Sequence, residues 1–110
     1  MSDDADEIRR LLREYERLPK TPHGLELPET HPEVSQEWII RIIEQPYDQW
    51  EEFVPHRNEV RTILVGRVRE FNQWIKVVFI GDVGTGELHT AYPDRQLERR
   101  YGGRPWQSQS

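Results

Sequence analysis

Between Glu59 and Asp94 the apolar residues gather into three β-like runs, VRTILVGRV, QWIKVVFI and ELHTAY, rich in branched and aromatic side chains. A polar stretch around Asn72 separates the first two. GDVGTG, with three glycines in six residues, fits a hairpin connection between the second and third. Links this short imply an antiparallel meander. Ahead of it, YDQWEEF reads as a weak edge strand and PHRN at 55–58 as a turn.

The first half of the chain changes period. Ala5, Ile8, Leu11, Leu12, Tyr15 and Leu18 recur at spacings of three and four, predicting one amphipathic helix that Ser2 can cap and that ends before Pro19. Lys20 to Glu29 holds Pro22, Gly24 and Pro28 and reads as a connector. A second helix follows. Ser35 suits its N-cap, with Thr30 as an alternative start; Trp38, Ile39, Ile42 and Ile43 form its apolar stripe, and Pro46 ends it. Near the C-terminus Pro93 and Asp94 open a short helix, PDRQLERRY, that Gly102 and Gly103 close. The fold class is α+β: two N-terminal helices packed on a three- to four-stranded antiparallel sheet, with a short C-terminal helix. The opposite sheet face is then partly open.

At 110 residues the chain suits one domain with one modest core. It has no cysteine, which excludes disulfides, thiolate chemistry and Cys-based zinc sites. No run approaches the ~18 apolar residues of a membrane span, and MSDDADEIRR has no apolar core of a signal peptide. The expectation is a cytoplasmic protein. Net charge is −5 but unevenly spread: residues 1–53 carry 14 acidic and 6 basic side chains, residues 54–110 carry 6 and 9. An acidic helical layer behind a more basic sheet is the natural reading.

Strand periodicity sorts the candidate chemistry. Arg61, Ile63, Val65, Arg67 and Arg69 share a face, as do Trp74, Lys76, Val78 and Ile80; strict alternation puts His89 with Ala91, opposed to Leu88, Thr90 and Tyr92. Cleavage of RNA by its own 2′-hydroxyl needs a proton acceptor, a proton donor and positive charge for the non-bridging oxygens. His89, Lys76 and Arg61 are the residue types for those roles. Arg95, just past the HTAY strand, can reach the same sheet end. Thr90, Tyr92, Arg67 and His31 are candidate substrate contacts. His23 and His56 sit in breaker-rich loops without metal-ligand spacing, and no glycine loop leads into a helix as phosphate-binding loops do. Neither a metal nor a cofactor is expected.

HPEVSQEWIIRIIEQP, EVRTILVGRV, WIKVVF and LHTAYPDR together resemble the small bacterial toxins of the RelE-like and barnase-like superfamily over roughly residues 30–97. The features that carry the resemblance are His31-Pro32 with Pro46, Arg61 ahead of Gly66, Lys76 before Val77-Val78, and His89-Thr90 with Tyr92 and Asp94-Arg95. The resemblance implies a metal-independent endoribonuclease of a toxin–antitoxin pair, acting on RNA or at the ribosome and opposed by a small antitoxin protein. It divides the chain into an acidic helix at 1–20, a RelE-like α+β domain at 30–101 and a flexible tail at 102–110. The acidic helix and the negative charge depart from the pattern. They favour an alternative, a non-catalytic interaction module or regulatory adapter that uses the open sheet or its Tyr47 to Phe53 edge.

Overall fold

The computed structural model describes residues 2–68 and 73–102. Arg69, the polar stretch around Asn72, the tail beyond residue 102, and the Ser2 side-chain cap lie outside the described residues. The elements run α1 (Ser2–Arg17), α2 (Pro22–Leu25), α3 (Leu27–Thr30), α4 (Gln36–Glu44), β1 (Asp48–Val54), a 3-10 turn (Pro55–Arg57), β2 (Glu59–Val68), β3 (Gln73–Ile80), β4 (Glu87–Pro93) and α5 (Arg95–Tyr101). The strands form one antiparallel sheet in the order β1-β2-β3-β4, so the architecture is α+β. Among the described residues no helix is long and apolar enough to cross a membrane.

One sheet face carries the main core. Leu64, Val77, Phe79, Leu88 and Ala91 meet Leu11 and Tyr15 of α1 and the apolar side of α4, all within a tenth of full exposure. In α4 the buried residues are Trp38, Ile39, Ile40 and Ile42, with Ile43 only partly covered. Ile40 replaces Ile43 in the expected stripe because α4 is wedged between α1 and the sheet and is covered on two sides. Arg10 ties the two helices together, donating to Glu7 and to Glu44 at 2.8–3.1 Å. Ser35 occupies the N-cap position of α4 as the sequence suggests, without a capping hydrogen bond from its hydroxyl, and the start at Thr30 is not used.

The stretch read as a plain connector contains two single-turn helices, α2 and α3. Each has proline in its first turn, and Thr21 caps α2 by accepting from the Gly24 N–H. The connector is sewn to the outer edge of β4: the Leu88 N–H donates to the Pro19 carbonyl at 2.8 Å, and the Thr21 N–H to the Leu88 carbonyl at 3.0 Å. Gly24 lies against that carbonyl so closely that a Cβ would overlap it. Lys20 turns the other way and donates to the Tyr15 and Leu18 carbonyls, closing the end of α1.

The second sheet face is half covered. Asp94 caps α5 by accepting from the Gln96 N–H, and the helix crosses the sheet to bury Leu97 and Tyr101 on Ile63, Val65, Trp74 and Val78. Tyr101 donates its hydroxyl to Asp48 in β1 at 2.6 Å, and Trp74 donates to the Gly102 carbonyl at 2.9 Å. Burial and this carboxylate together push the Tyr101 phenol up to about 12.

Two substitutions test these joints. Tyr101→Phe removes a hydrogen bond to a charged acceptor, and chemical denaturation should show a loss of about 1–2 kcal/mol. Gly24→Ala forces the connector off β4, with an expected loss of about 1–3 kcal/mol and faster hydrogen exchange at the Thr21 and Leu88 amides.

Candidate functional site on the open sheet face

The register fixes which side chains share the half-covered face. Across the sheet, Asp48, Val65, Lys76 and Tyr92 stand in one row, Trp50, Ile63, Val78 and Thr90 in the next, and Glu52 with Arg61 in a third. α5 lies over the aromatic end of these rows. The β4 border and the Arg61 end stay accessible.

His89 owes its position to an irregularity. Phe79 pairs with Leu88 while Val78 pairs with Thr90, so His89 is an extra residue opposite one β3 step. Strict alternation would send it with Ala91 into the helical core. Instead Leu88 and Ala91 both fill the core, while His89 remains half-buried beside Thr90 and meets Thr21. Lys20 faces the helical layer, so its neighbour Thr21 in extended backbone faces the other way. The sequence grouping of His89 with Ala91 is corrected by this bulge.

Thr21 orients the imidazole. Thr21 Oγ1 lies 3.0 Å from His89 Nδ1, accepts from the Gly24 N–H at 3.0 Å, and can donate its own proton to the Leu88 carbonyl at 3.5 Å. The hydroxyl is satisfied in either ring tautomer: with Nδ1–H it accepts from the ring and turns its proton to Leu88, and with Nε2–H it donates to Nδ1. The first tautomer leaves Nε2 as the free lone pair. The His23 ring stands 5.0 Å from the His89 ring. Burial, and then the positive charge of Arg61 with smaller effects of His23 and Arg57, lower the His89 pKa; Glu59 opposes them. The ring is therefore neutral at neutral pH.

The other candidates separate into two groups. Arg61 shares the face and donates from Nε to Glu59 at 2.8 Å, with both side chains less than a quarter exposed. Lys76 also shares the face, two to three residues along from His89, or ~8 Å at strand rise. Tyr92 is directly across from Lys76, and its ring lies 6.0 Å from that of His31, which is paired with Glu33 at 3.3 Å. His23 from the connector and His31 just after α3 thus flank β4 at the levels of His89 and Tyr92. Arg67 sits opposite Trp74, six residues from Arg61 and ~20 Å away along the strand. Arg95 is exposed at the start of α5, beside a cleft of about 310 Å³ at the Trp74 end of the sheet. It stands at the end of β4 away from His89, because the strand runs on for four residues beyond that histidine.

The sequence pattern set His23 aside as a metal ligand and gave no role to Thr21 or Glu59. Glu59-x-Arg61 was legible as a same-face pair two residues apart. Nothing local marks Thr21 or His23, whose relevance comes from contacts 66 to 68 residues away in sequence. Among the described residues no group of three or more histidine and carboxylate side chains is arranged to hold a metal ion. Comparison with protein-family models, curated proteins and solved structures yields no match.

The imidazole environment has measurable consequences. By NMR, His89 should titrate with a midpoint below 6.5, and Arg61→Ala should raise the midpoint by removing the nearby positive charge. Because the folded value is depressed, the unfolded chain binds more protons near its ordinary value. The stability His89 contributes is therefore full above about pH 6.5 and is lost as pH falls through the folded midpoint. His89→Gln should flatten that acid-side slope in thermal melts.

Proposed function

We propose that this protein is a metal-independent endoribonuclease of the toxin-like class that its sequence resembles. The observation that carries the reading is the neutral His89 ring, held through Nδ1 by Thr21 on an accessible sheet face, with Arg61 beside it and Lys76 on the same face. Nε2 of His89 accepts the proton of a ribose 2′-hydroxyl. The resulting oxygen attacks phosphorus, the bond to the 5′-oxygen breaks as that oxygen takes a proton from water, which the His89 imidazolium then restores, and a 5′-hydroxyl and a 2′,3′-cyclic phosphate remain. Arg61 and Lys76 offset the charge gathered on the non-bridging oxygens. Thr90, Tyr92 and His31 border the strand of RNA along β4, and Arg67 and Arg95 serve more distant phosphates. A small antitoxin protein covering the open face is the partner this reading implies.

Purified protein incubated with RNA, with and without ribosomes, should generate new 5′-hydroxyl ends and cyclic-phosphate 3′ ends in the presence of EDTA. His89→Ala should slow this by ~10²–10⁴-fold and Lys76→Ala by ~10²-fold, with fold retained by circular dichroism. The rate should fall on acidification below the His89 midpoint, where Nε2 becomes protonated. No cleavage under either condition, or cleavage unaffected by both substitutions, rejects the assignment.

A further inference from the structure

The two borders of the sheet are treated differently. β4 is closed by the connector, whereas no strand pairs with the outer edge of β1 among the described residues. β1 contains neither proline nor lysine and its seven-residue register with β2 runs without a shift, so what guards this edge is acidic charge, Asp48, Glu51 and Glu52. At its far end Phe53 is directly opposite Val60, and the two remain 58% and 42% exposed. They extend the main core face beyond the helices, which leave β1 uncovered: Gln49, Glu51 and Phe53 are all exposed on that side.

The acidic side chains decide which strand can add there. Glu51 and Glu52 point to opposite faces of β1 and are both exposed, and β1 carries no basic residue. A second copy of this chain docking edge to edge would bring like charges together on both faces. A strand with lysine or arginine flanking an apolar residue instead pairs with these carboxylates and packs its apolar side chain against Phe53. The geometry points to β1 as the docking edge for an extended, basic and apolar segment of another protein, which joins the sheet as its fifth strand. This surface is distinct from the His89 site and does not depend on the ribonuclease reading.

The probe is a seven-residue peptide alternating lysine and valine, with the glutamate–valine peptide of the same length as its control. Amide hydrogen exchange of the full chain is followed by NMR. With the lysine peptide, outward-facing amides of β1 should exchange at least ~10-fold more slowly, while the glutamate peptide leaves them unchanged. In the Glu51→Lys, Glu52→Lys double variant the preference should reverse, and Phe53→Ser should weaken binding without disturbing the fold, since Phe53 is exposed. Protection confined to the His89 face, no protection at β1 with either peptide, or β1-mediated dimers of the protein alone in sedimentation would each overturn the proposal.

Discussion

Leu88 is the fastening point of the molecule. Its side chain is wholly buried under the helices, one side of its strand pairs with β3, and on the other its N–H and C=O both bond to the connector. A buried backbone group without a partner is expensive, so this reciprocal pair fixes where residues 19–21 must run. Gly24 lets the chain turn against the same carbonyl. Everything at the β4 border, including the Thr21–His89 contact and the stacking of His23, follows from that attachment.

Two layers of unequal extent then shape the accessible surface. The N-terminal helices fill one sheet face, while a seven-residue helix can shield only part of the other. α5 spends its two large apolar side chains on the aromatic end, where Trp74 and Tyr101 stack. What stays open is the end where charged and titratable groups collect. Desolvation there is partial, enough to hold His89 neutral yet leave its ring in reach of solvent.

Much of the fold was legible from residue patterns. The three apolar runs became β2, β3 and β4, the YDQWEEF edge became β1, and the periods of α1 and α4 predicted both helices to within a residue or two. The short helices of the connector were not legible, since a single turn is not stable by propensity and exists only through tertiary contact. Nor was the bulge. Alternation is a rule for regular strands, and one inserted residue moved His89 to the opposite face. The faces of Arg61 and Lys76 were readable because β2 and β3 are regular. The place of Arg95 was not, because it depends on how far β4 continues before α5 begins.

The Thr21–His89 contact joins residues 68 apart in a chain of 110, spanning most of its length. A nascent chain leaving the ribosome carries the connector early but cannot assemble this corner until β4 has emerged and paired with β3. Translation products that stop short of β4 therefore lack the oriented imidazole altogether.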